Sequence, residues 1–215
     1  MLKTILWDND GVMVDTEELY FLAGQEVLAA KGVFLTRDMF IEQSLKKGLS
    51  VFDLLPNCEQ AEIDRLRNIR NARYLDMLKT GVRVIDGVEE VLKSLYGRVR
   101  MGVVTGSRRE HFHAIHQQTN LLRFFEFTVV REDYEQSKPD PDAYFTAMRL
   151  HGLQPEECIV IEDSERGVRA AAHAGLRVFV VPHELTKYGD FSLSYKMVNS
   201  VRDMVGEVEK LIKTE

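Results

Sequence analysis

The chain has 215 residues, 45% of them apolar and 29% charged, with a formal net charge of −6. This is the make-up of a soluble globular protein with room for one substantial core and a smaller second unit. The acidic balance gives no electrostatic basis for a nucleic acid or an anionic membrane as partner, so any bound phosphate has to be met by local charge or a metal. Cys58 and Cys158 lie far apart with no metal-type spacing, which suits a reducing compartment. No apolar run reaches the roughly 18 residues of a membrane span, and the first strand begins almost at once, without a signal-peptide pattern. A cytoplasmic protein is the expectation.

Residues 4–7 read as a short buried strand, ended by the turn chemistry of Asp8, Asn9, Asp10 and Gly11. If the pleat runs on, Asp8 and Asp10 project to the same face. Two adjacent carboxylates repel unless a cation or a proton separates them. Magnesium suits such a pair, because it takes a few carboxylate oxygens and keeps water and phosphate as its other ligands. One carboxylate then serves as nucleophile and the other as proton carrier. An acidic turn closing a buried strand is an equal reading of these residues taken alone.

Thr16 is expected to cap a helix starting at Glu17, with an apolar face at Leu19, Leu22, Ala23, Val27 and Ala30 and an end at Gly32. Residues 37–78 carry helical patterns and no strand, interrupted by the loop Lys46-Lys47-Gly48-Leu49-Ser50, and 81–87 reads as a return passage. Strand and helix then alternate. Val88, Val91, Leu92 and Leu95 mark a helix, and 100–104 a strand ending at Thr105-Gly106-Ser107. A helix follows through His111, Ile115 and Gln118, then a strand at 127–130. Pro139 and Pro141 open a helix that Gly152 stops. The apolar run 158–161 closes on Glu162-Asp163, and Val168, Ala171 and Ala172 form a helix face with Gly175 as its cap. A strand at 177–181 and a helix at 201–212 complete the chain. Such alternation, with continuously apolar strands, argues a parallel sheet covered on both faces. The helical stretch from about 17 to 80 looks like an insertion after the first strand.

Ligands in such sheets bind at the carboxyl ends of the strands. Here those ends and the loops after them carry Asp8 and Asp10, then Thr105 to Ser107, then Lys138 in the loop after the third strand, then Glu162 and Asp163. Together they describe a magnesium and phosphate site. Singly, Lys138 reads as well as a solvated lysine, Thr105 as a turn residue, and Glu162-Asp163 as a helix cap. His111, His113 and His116 read as surface or packing residues, and Trp7 as core.

The segments Asp8-Asn9-Asp10-Gly11-Val12 with Asp15-Thr16, Val104-Thr105-Gly106-Ser107, Ser137-Lys138-Pro139-Asp140-Pro141 and Ile161-Glu162-Asp163-Ser164 resemble, in order, the four motifs of the haloacid dehalogenase superfamily. The resemblance is to its β-phosphoglucomutase-like phosphatase branch. It implies an α/β fold, a Rossmann-like doubly wound parallel sheet over residues 1–15 and 82–215, with an inserted α-helical cap domain over 16–81. It also implies that Asp8 attacks phosphorus to form a phosphoaspartate and that Asp10 protonates the leaving oxygen and then activates water. Thr105 and the Gly106 amide would hold phosphoryl oxygens, with Ser107 a weaker candidate, and Lys138 would neutralise charge. Mg2+ would sit on the Asp8 carboxylate, the Asp10 backbone carbonyl and Asp163, with Glu162 bound or close by.

An acid at position 10 favours phosphoryl transfer over dehalogenation. Mutases of this branch are expected to carry a histidine where this chain has Tyr20, an arginine where Val51 follows Gly48-Leu49-Ser50, and a lysine near Asp76. Their absence favours hydrolysis, while Lys46 and Lys47 either reach a second anionic group from the cap loop or form a solvated basic pair, the latter slightly preferred. Lys47 and Gly48 are still taken as cap contacts to substrate. The expected activity is a magnesium-dependent phosphatase, monomeric, acting on a small phosphorylated metabolite such as a sugar phosphate. A phosphomutase and a non-catalytic phosphate-binding protein are the alternatives.

Overall fold

The computed structural model describes residues 1–213. The first strand, β1 (Thr4–Trp7), is buried along its whole length. The pleat stops there: Asp8 to Gly11 turn back so that Asp10 bridges Val14. The chain leaves through β2 (Val14–Asp15) into α1 (Glu17–Ala29), α2 (Arg37–Phe40), which continues as a π-helical segment Ile41–Lys46, and α3 (Gln60–Lys79). It returns along β3 (Arg83–Val84), antiparallel to β2, with Arg83 paired to Asp15. Then come α4 (Val88–Leu95), β4 (Arg100–Val104), α5 (Arg109–Thr119), β5 (Phe127–Val129), α6 (Asp142–His151), β6 (Cys158–Glu162), α7 (Glu165–His173), β7 (Arg177–Val180), β8 (Lys196–Met197) and α8 (Val205–Lys213).

Six strands pair in parallel in the order β5-β4-β1-β6-β7-β8. Connections run one way from β1 to β4 and the other way to β6, so the switch point, and the cleft it opens, falls at the end of β1. Successive side chains of a strand point to opposite faces. Ile5 and Trp7 thus join Met101, Val103, Ile159 and Ile161 in one core beneath α4, α5 and α8. Leu6 joins Val104, Cys158 and Val160 in a second core beneath α6 and α7. Apolar residues on both faces are what the uninterrupted strand sequences anticipate, and the fold is a doubly wound α/β sheet.

The helices between β2 and β3 have a cluster of their own, built on Phe21, Leu28, Leu35, Phe40, Phe52 and Leu66. Leu185, from the loop after β7, is buried in that cluster. Ala23, Tyr74 and Leu78 on the same helices join the core under α5 instead.

Two expectations change. Thr16 precedes α1, but its hydroxyl donates to Asp10 and not to the helix end. The C-terminal helix is divided into a 3-10 turn, Val201–Met204, and α8. His113 is exposed, whereas His111 and His116 are buried and bonded. Among the described residues no helix is long and apolar enough to cross a membrane.

Leu185→Ala should cost about 2–4 kcal/mol of stability in denaturant unfolding. It should also speed amide exchange in residues 17–55, because it empties a position in the helical cluster from the opposite side. Unchanged exchange there would show that the loop does not complete this cluster.

Candidate active site

Asp8 stands one residue beyond β1, its backbone N–H donating to the carbonyl of Ile161 at 2.9 Å. The Lys138 ammonium donates to Asp8 Oδ1 at 2.7 Å, Glu162 Oε1 at 2.7 Å and the Val104 carbonyl at 3.0 Å. All three of its protons are thereby committed, one to the end of each of the three central strands. Burial opposes charge on Lys138, but Asp8 and Glu162 outweigh it and hold the lysine well above its ordinary range. Burial pushes Asp8 up; Lys138 pulls it down, while Glu162 and Asp163 push it up further, and its pKa stays raised.

Glu162 is fully buried. Besides Lys138 it accepts from the Tyr144 hydroxyl at 2.9 Å, the Asp163 N–H at 3.2 Å and the Ser164 hydroxyl at 3.3 Å. A Cβ at Gly167 would fall 2.1 Å from this carboxylate, so α7 can approach it only with glycine there. Asp163 Oδ2 lies 3.0 Å from His183 Nε2. The Leu185 N–H donates to His183 Nδ1, leaving the proton on Nε2 to be donated to Asp163. Burial raises Asp163, against the pull of His183. Gly11 has φ +77°, and a Cβ there would come within 2.5 Å of Asp163 Oδ2 and 2.8 Å of His183 Nε2.

Asp8, Glu162 and Asp163 each offer an oxygen within 4.8 Å of the others. Hard oxygen donors carrying excess negative charge fit a divalent cation. The Asp10 carboxylate is directed elsewhere. It accepts from the hydroxyls of Thr16 and Ser107, the latter at 2.6 Å, from Asn9 at 3.2 Å, and through a long contact of 3.5 Å from Thr105. Asn9 is pinned in turn by His116 Nε2 at 2.9 Å, a histidine that burial pushes down to about 4 and so keeps neutral.

These groups floor a cavity of about 670 Å³, with Gly106 and Ser107 on one wall and the inserted helices above. Of the two cap positions expected from sequence, Gly48 reaches it. Its φ is +69°, and an added Cβ would lie 2.8 Å from the Lys138 carbonyl. Lys47 is half-exposed and, with Lys46, paired to Glu42; neither lysine lines the cavity.

Sequence reasoning missed several residues that do. Arg70 is buried over the Tyr20 ring at 4.1 Å, and Arg67 reaches the Ser50 hydroxyl at 3.3 Å. Two cations thus reach the cavity from α3, where the sequence offered none beside Val51 or near Asp76, and the i,i+3 spacing of Arg67 and Arg70 is the signal that places them on one face. Glu17 is buried in the first turn of α1. Burial first, then Asp163 and Asp10, raise it to about 7. His183 and Arg166 carry no motif that distinguishes them.

Two outcomes follow. Gly48→Val should displace the loop from Lys138 and lower turnover of the natural substrate about 10- to 100-fold, more than for a small aryl phosphate; equal losses would contradict this. Glu17 has a folded pKa of about 7 against 4.5 unperturbed, so the folded protein keeps a proton that the unfolded chain releases. Without metal, its contribution to stability is full below pH 4.5 and is lost up to pH 7, at about 1.4 kcal/mol per pH unit. Glu17→Gln should flatten that slope in pH-dependent denaturant titrations, and an unaltered slope would contradict the assignment.

The sequence profile of the haloacid dehalogenase-like hydrolases matches residues 5–181. The chain is 30% identical over 206 residues to the protein CbbY of Rhodobacter capsulatus, covering 89% of this chain and 90% of that one. It is 28% identical over 196 residues to a phosphorylated carbohydrates phosphatase of Thermotoga maritima, covering 86% and 87%. A crystal structure of a CbbY variant from Rhodobacter sphaeroides in complex with xylulose-(1,5)bisphosphate superposes with a TM-score of 0.79 at 25% identity, over 93% and 95% of the two chains. Fold, strand-end residues and sequence agree: the chain belongs to the haloacid dehalogenase-like hydrolases, as a phosphoric monoester hydrolase of the β-phosphoglucomutase-like branch.

Proposed function

We propose that this chain is a Mg2+-dependent phosphatase that hydrolyses a phosphorylated sugar through a phosphoryl group carried on Asp8. The observation that supports this most is the buried Lys138 ammonium 2.7 Å from Asp8 Oδ1, in the same cavity as an Asp10 carboxylate held by hydroxyls. Asp8 attacks phosphorus and the bond to the sugar oxygen breaks, that oxygen taking a proton from Asp10. Asp10, now ionised, accepts a proton from the water that attacks the phosphoaspartate, releasing phosphate and restoring Asp8. Thr105, the Gly106 amide and Ser107 steady the phosphoryl oxygens. Lys138 offsets their charge, and Glu162, with its acceptor positions filled, keeps Lys138 in place. The cation would be held by Asp8, Asp163 and the Asp10 carbonyl and would add positive charge against the phosphoryl oxygens.

Residues 16–81 act as a cap hinged at the β2–β3 ribbon, and its seating through Gly48 excludes water. The sugar class is supported by the phosphorylated carbohydrates named for the Thermotoga relative and the xylulose-(1,5)bisphosphate bound by the Rhodobacter one. We place the enzyme in the cytoplasm as a monomer: both cysteines are free, and burial pushes the Cys158 thiol up to about 11.

One observation favours a second reading. Arg67 and Arg70 give the cap the cations that a sugar phosphomutase needs for a second phosphate, so the argument from their absence no longer separates the two. Phosphate release across sugar phosphomonoesters, scored with β-glucose 1-phosphate isomerisation, decides between them. Selective hydrolysis is expected, and isomerisation without phosphate release would establish the mutase. Asp8→Asn should lower kcat by at least about 1,000-fold with the thermal transition retained; wild-type rates in this variant would refute the mechanism.

A further inference from the structure

Five arginines line the catalytic cavity. Four are held by the protein: Arg67 by Asp64 and Ser50, Arg70 by Asn71, Arg108 by Glu132, and Arg131 by the carbonyls of Tyr134 and Glu135. The fifth, Arg166, is different. Its Nε is fully buried without a partner, and among the described residues its guanidinium makes no hydrogen bond and no ion pair. Arg166 lines the cavity and is only partly buried, so its terminal N–H groups, with no protein acceptor among the described residues, are open to whatever enters it. The surrounding carboxylates, Glu17 foremost, keep the group charged despite its burial.

The place of Arg166 narrows what that acceptor is. It lies in the first turn of α7, and α7 packs against the Ile41–Lys46 segment of the inserted helices, so the guanidinium stands at the seam between sheet and cap. Lys138 and Asp8 lie on the floor of the cavity that Arg166 also lines; on the phosphatase reading the floor takes the phosphoryl group and leaves the seam to the rest of the substrate. A second dianion there would meet Glu17, Asp8, Asp10 and Asp163 and be repelled. Glu17 is buried and, among the described residues, makes no hydrogen bond, so its oxygens can accept one. A donor-only guanidinium beside an acceptor carboxylate matches neighbouring hydroxyls, which both give and take.

We propose that Arg166 is a specificity-determining residue that binds adjacent hydroxyl oxygens of the substrate's leaving group, with Glu17 accepting from one of them, so that the enzyme selects phosphorylated polyhydroxy compounds over alkyl or aryl phosphates. This rests on the phosphatase reading and refines it.

The test compares kcat/KM of wild type, Arg166→Met and Arg166→Lys, with saturating Mg2+, on hexose and pentose monophosphates and on p-nitrophenyl phosphate. Arg166→Met should lose about 100-fold on the preferred sugar phosphate, mostly in KM, and at least about ten times less on p-nitrophenyl phosphate. Arg166→Lys, which keeps the charge without the fork, should recover only part of the loss. Arg166→Gln carries the same comparison if the methionine variant does not fold. Equal losses on both substrate types, as expected of a group that merely balances the acidic cluster, would overturn the proposal, as would no loss on any sugar phosphate. A wild type that releases phosphate from no ester would instead refute the phosphatase reading itself.

Discussion

The site depends on one ammonium held in a buried position between two carboxylates. Lys138 is 4% exposed, and its pairs with Asp8 and Glu162 at 2.7 Å tie the loop before α6 to the ends of β1 and β6. Removing one partner of such a pair typically costs about 3–5 kcal/mol, since the other charge is then stranded. The same arrangement sets the electrostatics of Asp8: burial and the Glu162 and Asp163 carboxylates push its pKa up, and the Lys138 ammonium pulls against them.

Close packing around that centre explains features that look unrelated in sequence. Gly167 lets α7 pass against Glu162, Gly11 lets the turn pass beneath Asp163 and His183, and Gly48 lets the cap loop settle on the Lys138 carbonyl. The loop after β7 joins these parts: His183 holds Asp163 while Leu185, two residues on, completes the core of the inserted helices. Sheet, acidic cluster and inserted helices therefore share contacts around Asp163.

What was legible beforehand follows from the physics of parallel sheets. Strands buried on both faces must be apolar throughout, so β1, β4 and β6 stand out, and the polar residues at their ends are the ones the fold brings together. Asp8, Asp10, Thr105 and Asp163 could be named for that reason, and Lys138 from the loop that follows β5. The two-residue strands β2, β3 and β8 have no periodicity to read, and Thr16 resembles a helix cap until its hydroxyl is seen on Asp10. Arg67, Arg70, Arg166 and His183 resemble ordinary surface charge, because what gives them a role is the approach of elements distant in the chain. Lys47 shows the converse: next to Gly48 in sequence, it is turned to Glu42.

The central claim is that Asp8 carries the phosphoryl group. Rapid acid quenching during turnover of a sugar phosphate, followed by mass analysis of the peptide containing Asp8, tests it most directly. The account predicts a peptide heavier by one phosphoryl group, with the added mass on Asp8 and absent in Asp8→Asn. Turnover at full rate with an unmodified Asp8, or with the label on another residue, would contradict it.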